Sequence, residues 1–124
     1  MQTFTKAERL SGKTALDNLF ETGKSFNSFP FRLIWLEVVD DSPVPVQTVI
    51  SVPKRSFKKA VDRNRIKRLI REGYRKNKKI IYNQINNKKI HLLFIYTART
   101  IIEYKEMEQK IITALQHLAK AIAS

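Results

Sequence analysis

Arg63, Asn64, Arg65, Lys67, Arg68, Arg71 and Arg75 crowd into one short run of this sequence. Guanidinium groups offer forked N–H donors that match the oxygens of a phosphate, and an asparagine amide adds a donor and an acceptor. The chemistry such a set supports is the binding of phosphodiesters, not the breaking of bonds. Lys54, Arg55, Lys58 and Lys59 lie just upstream, so residues 53–79 hold 13 of the 24 Lys and Arg residues, with only Asp62 and Glu72 against them. The formal charge of this stretch is +11 out of +13, which leaves +2 for the remaining chain. So basic a segment releases counterions when it meets a polyphosphate. Nucleic acid is therefore the first partner class to weigh, and an anionic membrane the second.

Groups able to catalyse are scarce. There is no cysteine, which excludes disulfides and thiolate metal sites. The three glycines are isolated, so no phosphate-cradling loop is present. His91 and His117 lack the neighbours of a zinc motif and read as surface or packing histidines. Asp40 and Asp41 read as a turn. Glu103 and Glu106 open a helix, where the dipole favours acids. Asp62, among arginines, reads as a local electrostatic partner. No nucleophile is accompanied by a base. No catalytic residue and no metal ligand is expected in the protein itself.

The basic residues need an element to hold them. At about 100° per residue, Ile66, Leu69, Ile70, Gly73 and Tyr74 fall on one side of a helix. Asn64, Lys67, Arg68, Arg71 and Arg75 fall opposite, with Arg65 at their edge and Arg63 beside the apolar stripe. Such a helix has one face for a core and one for anions. Ser56 is a candidate cap for it, with a start anywhere in 57–62. Upstream, Ala15, Leu16, Leu19 and Phe20 recur at helical spacing. They predict a helix over 13–22, capped by Ser11 or Thr14 and stopped at Gly23. Residues 26–40 alternate as a strand with bulky groups on both faces, and an extra strand can be split from 24–29. VQTVISV (46–52) has high strand propensity, and the short link before it argues for an antiparallel hairpin. Residues 76–89 read as a polar connector. IHLLFIYT (90–97) reads as a buried central strand, and the strand-helix-strand order allows it to share a sheet with 46–52 in parallel. Met107, Ile111, Ala114, Leu115, Leu118 and Ile122 form a helical stripe to the end.

The expected fold class is α/β, an α+β two-layer sandwich of order α-β-β-β-α-β-α. It has a mixed sheet, a basic crossover helix and one domain over 1–124. A membrane-surface helix would need its apolar stripe exposed, but this stripe is required to close the domain between two strands. A helix-turn-helix reader of DNA needs a preceding helix, and here a strand precedes. Neither membrane nor DNA is an expected partner. Structured or single-stranded RNA is, with phosphates on the helix and bases on the sheet. No run approaches the ~18 apolar residues of a spanning helix and no signal-like core opens the chain. The expected location is therefore cytoplasmic.

Ala60 to Arg71, AVDRNRIKRLIR, resembles the RNR signature of the bacterial ribonuclease P protein component. Arg9, Leu10, Leu19, Phe20 and Gly23 resemble that family's start. Ser51 to Arg55 (SVPKR), Phe94 to Arg99 (FIYTAR) and the closing helix extend the likeness over nearly the whole chain. Phe57-Lys58-Lys59 replace the small residues usual before the signature. The resemblance implies a ribonuclease P protein-like fold. It also implies an accessory role beside a catalytic RNA subunit, which cleaves precursor tRNA to release its 5′ leader. Magnesium would be held by that RNA and the substrate. Carried over, the RNA-binding set is Lys54, Arg55, Lys58, Lys59, Arg63, Asn64, Arg65, Lys67, Arg68, Arg71 and Arg75. A leader cleft would involve Phe20, with Leu16 and Ile34 where the family often has aromatics. Tyr96 and Trp35 are the other aromatics available to stand in there. The alternative is a non-enzymatic RNA-binding module, such as a ribosomal protein or RNA chaperone.

Overall fold

The structure is a computed structural model that describes residues 4–85 and 87–123. After a short 3-10 turn at Lys6–Glu8, the elements run α1 (Lys13–Thr22), β1 (Lys24–Ser28), β2 (Phe31–Val38), β3 (Val46–Ser51), α2 (Ala60–Asn77), α3 (Lys79–Tyr82), β4 (Lys89–Tyr96) and α4 (Tyr104–Ala123). The four strands form one mixed sheet in the order β1-β2-β4-β3. β2 pairs antiparallel with β4, from Phe31 opposite Tyr96 to Val38 opposite Lys89. β3 pairs parallel with β4, from Val46 opposite Ile90 to Ser51 opposite Ile95. The expected parallel pairing is therefore present, with α2 as its crossover.

The expected β2–β3 hairpin is not formed. β4 lies between the two strands, because its apolar run gains most from a position covered on both faces. Residues 39–45 cross over the end of β4 instead, where Ile90 N–H donates to Pro45 O at 2.9 Å.

Register decides which face each residue serves. Phe31, Leu33, Trp35, Leu92, Phe94 and Tyr96 point to the side covered by α2 and α4 and build the main core. Ile34 and Leu93 point the other way, under Leu19 of α1 and Leu10 of the N-terminal arm. The main two layers are thus the sheet and the α2–α4 pair, with α1 covering part of the opposite face. From α2, Ile66, Ile70 and Tyr74 are fully buried. Burial of each such side chain stabilises by about 1.5–3 kcal/mol relative to exposure. Every residue of the expected α4 stripe is buried as well.

Three local expectations are corrected. α1 is capped by Gly12, at φ 102°, and not by Ser11 or Thr14. The cap of α2 is Lys59 and not Ser56, whose N–H instead closes a turn onto Pro53 O at 3.2 Å; the helix itself starts at Ala60, inside the expected 57–62. The connector is less polar in effect than in composition: it contains α3 and buries Ile81 and Ile85. Spacing over so short a stretch gives too few turns for the helical period to emerge.

Candidate nucleic-acid interface

The loop before α2 is built from its own sequence. Pro53 ends β3, and Phe57 drives into the core beside Tyr96, with ring centroids 6.0 Å apart. Arg63, one turn into α2, folds its guanidinium back and donates to Phe57 O at 2.7 Å and Lys58 O at 2.9 Å. With its carbonyls engaged, the loop holds Lys54, Arg55, Lys58 and Lys59 out in solvent. Asn64, Arg65 and Arg68 are exposed beside them on α2.

The cationic residues anticipated from sequence therefore separate by environment. Arg63 braces the loop. Arg75 donates to Glu72 at 3.1 Å through Nε, and this bond keeps the Glu72 carboxyl below and the Arg75 guanidinium above their ordinary values. Lys67 and Arg71 are half-buried and turn into a cleft along β3, an edge strand. Burial first, then the neighbouring Arg9 and Arg68, hold the Arg71 guanidinium below its ordinary value. Among the described residues, no carboxylate forms an ion pair with Arg9, Lys67 or Arg71.

The cleft consists of two adjoining depressions that share Val49, Ile50 and Lys67. One, of about 190 Å³, reaches Phe4, Arg9 and Arg71. The other, of about 250 Å³, reaches Leu16, Phe20 and Ser51. Both are open and smaller than the ~300 Å³ lower bound of drug-sized pockets, so the groove suits successive units of a strand better than one enclosed small molecule. Phe20 stands at its wall and is 62% exposed, although α1 buries Leu19 completely.

Not every residue anticipated for the cleft reaches it. Ile34 is 3% exposed and lies beneath α1, so it presents no surface to a bound strand. Tyr96 and Trp35 belong to the core on the α2–α4 side, where Tyr96 OH donates to Thr100 O at 2.6 Å. Strand alternation puts both on the opposite face from Ile34. Arg9 and Phe4, by contrast, line the cleft and were not singled out as site residues. Arg9 stands beside Lys6 and Glu8 in a polar arm of mixed charge, and its only signal was its place in the opening Arg-Leu pattern.

Half-buried His91 has its Nε2 3.4 Å from Asp40 Oδ2, and exposed His117 stacks on Phe26 with centroids 4.0 Å apart. Among the described residues no group of three or more His, Asp or Glu side chains is placed to hold a metal ion, and no helix is long and apolar enough to cross a membrane.

Known proteins share both the sequence pattern and the fold. The family model described as Ribonuclease P matches residues 4–119. The ribonuclease P protein component of Porphyromonas gingivalis is 28% identical over 122 residues, 97% of this chain and 89% of that one. That of Chlorobaculum tepidum is 35% identical over 103 residues, 76% and 67% of the two chains. The solved RNase P protein of Thermotoga maritima superposes with a TM-score of 0.71 at 23% identity, over 89% of this chain and 96% of that one. That of Staphylococcus aureus gives 0.72 at 21% identity, over 94% and 99%. The cationic helix, the mixed sheet around it and a family match spanning nearly all residues agree, and the chain belongs to the ribonuclease P protein family, the accessory protein components of a ribonucleoprotein endoribonuclease.

Proposed function

We propose that the protein uses two surfaces, one for the RNA subunit and one for the 5′ leader of precursor tRNA. The first is the loop 53–59 with the outer face of α2: Lys54, Arg55, Lys58, Lys59, Asn64, Arg65 and Arg68. The second is the groove along β3, where Phe20 and Leu16 offer an apolar wall and Lys67 and Arg71 a cationic one. The observation that carries this reading is the position of Phe20. A large aromatic ring left in solvent, in the same depression as Lys67 and next to the one that holds Arg71, is a pairing that suits a single strand. Bases stack on the ring while phosphates meet the charges.

The division of labour follows from charge. A catalytic RNA and a tRNA precursor are both polyanions and repel each other. A protein of net charge +13 set between them offsets that repulsion and holds the leader near the site of cleavage. Magnesium would be bound by RNA and substrate oxygens, and the protein would act in the cytoplasm where tRNA is made. Arg63 and Arg75 would contribute by bracing the interface and not by direct contact, since their guanidiniums already serve protein acceptors.

Processing of precursor tRNA by the RNA subunit at low magnesium tests the reading. Addition of the protein should raise affinity for a precursor with a leader more than affinity for mature tRNA. Phe20→Ala should remove most of that difference while leaving assembly with the RNA subunit intact. Equal stimulation of both substrates, or cleavage by the protein without RNA, would sink it. A basic ribosomal protein of similar charge serves as the control for the binding-module alternative.

A further inference from the structure

Glu8 is an unexpected residue to find inside this protein. It is 3% exposed, yet it is an acid. Its carboxylate accepts from Lys78 Nζ at 2.5 Å, from Thr5 N–H at 2.9 Å, from Thr5 Oγ1 at 3.1 Å and from Tyr82 OH. Burial alone would push this carboxyl up; the donors outweigh it and bring the group below its ordinary value. The ion pair joins the N-terminal arm to the α2–α3 junction across 70 positions of sequence. Such a pair gives little net stability compared with an apolar replacement, because both ions lose their hydration. What it does give is a fixed geometry, and the geometry concerns the next residue.

Arg9 bridges to Thr48 on β3, and Leu10 N–H donates to Thr48 O at 2.9 Å. The Arg9 guanidinium lies over the Phe4 ring, 5.7 Å from its centroid, and Phe4 rests edge-on against Tyr74 at 5.8 Å. The arm is thereby held so that Arg9 and Arg71 wall one end of the cleft, with Lys67 alongside. Like charges held together without an acid repel, and an anion between them reverses the sign of that energy.

We propose that Glu8 is a positioning residue that docks the N-terminal arm so that Arg9 and Arg71 form a phosphodiester subsite for single-stranded RNA at one end of the cleft. This rests on the reading of the cleft as a single-strand groove and adds a residue from the arm to it.

The test uses the full chain and a fluorescein-labelled eight-nucleotide oligouridylate, titrated over a range of salt. Arg9→Ala should weaken binding about 5–10-fold and lower the slope of log K against log salt by about 0.7, the loss of one single-strand phosphate. Glu8→Gln should reproduce both changes, and adding it to Arg9→Ala should cost nothing further, because it acts only through Arg9. Should Glu8→Gln fail to fold, Tyr82→Phe removes one donor to the carboxylate while leaving the ion pair. It should then show a smaller loss, again absent in the Arg9→Ala background. A wild-type slope in Glu8→Gln, or additive losses, would overturn the positioning role. Wild-type binding that Arg9→Ala leaves untouched would overturn the subsite while the cleft reading stands. No salt-dependent binding by the wild type would overturn both. A loss confined to a folded RNA hairpin used in parallel would overturn the assignment to a single strand.

Discussion

α2 and α4 lie side by side on the same face of the sheet, with 18 and 20 residues, and both bury one apolar stripe. Their outer faces differ. α2 carries seven Lys and Arg against two acids, a net +5, whereas α4 carries three against two, a net +1. Equal amphipathicity places both helices, so the apolar stripe says where a helix goes and nothing about what it does. Segregation of charge distinguishes the helix proposed to meet phosphate from the helix that completes the core. A mixed-sign face gains nothing from a polyanion, since each acid cancels a cation within about one Debye length.

The comparison is broken most severely from the core side. Leu115→Ala on α4 removes a fully buried side chain and should lower stability by about 2–5 kcal/mol, read by denaturant unfolding. RNA affinity of the folded fraction should stay at wild type. On α2 the effect should invert. Arg65→Ala with Arg68→Ala should weaken binding to the RNA subunit roughly 100-fold, with stability within about 0.5 kcal/mol of wild type, because charge-assisted contacts are lost and no core contact is. Lys105→Ala on α4 is the matched control, and a comparable loss there would erase the distinction between the helices.

The seam between the helices offers a finer probe. A Cβ at Gly73 would sit 2.5 Å from Ile111 Cδ1, so Gly73 sets how closely α2 approaches α4. Gly73→Ala should be destabilising, although alanine by itself favours the helix by about 0.5–1 kcal/mol. Ile111→Val deletes the clashing methyl. The double variant should therefore be more stable than additivity allows, by about 1 kcal/mol in a double-mutant cycle.

The smallest effect concerns the buried Glu8 at the far end of α2. Its folded pKa lies below its ordinary value of 4.5, so its contribution is present above the unfolded pKa and is lost as pH falls through the folded one. Between pH 6 and pH 3 the melting temperature of the wild type should fall further than that of Glu8→Gln. Parallel decline of the two would mean that Glu8 gains nothing from Lys78.

Legibility in the sequence tracked locality. α1 spans the anticipated 13–22, and the α4 stripe is buried at each anticipated position, because helical period and burial are written in neighbouring residues. The two-sided burial of β2 was legible for the same reason. The insertion of β4 between β2 and β3 was not, since it depends on competition between strands distant in sequence. Side-chain environments were hidden for the same reason. Helical angles place Arg75 on the outer face and Arg63 beside the stripe, but do not show that Glu72 and the carbonyls of residues 57 and 58 claim them. Ile34 matched a cleft position by pattern and is covered by α1.

By itself, then, the sequence determined that a cationic helix with an apolar back would sit on a mixed sheet, with a charge suited to phosphate. Charge density and periodicity are properties of a contiguous run and survive any arrangement of the rest. Only the tertiary structure decided which cations remain available and which brace the loop. It alone brought Arg9, Phe4 and Phe20 to the same groove as Lys67 and Arg71. Those neighbours lie up to 67 positions apart in the chain, and what joins them is the edge of β3, onto which the arm, α1 and α2 pack from different directions.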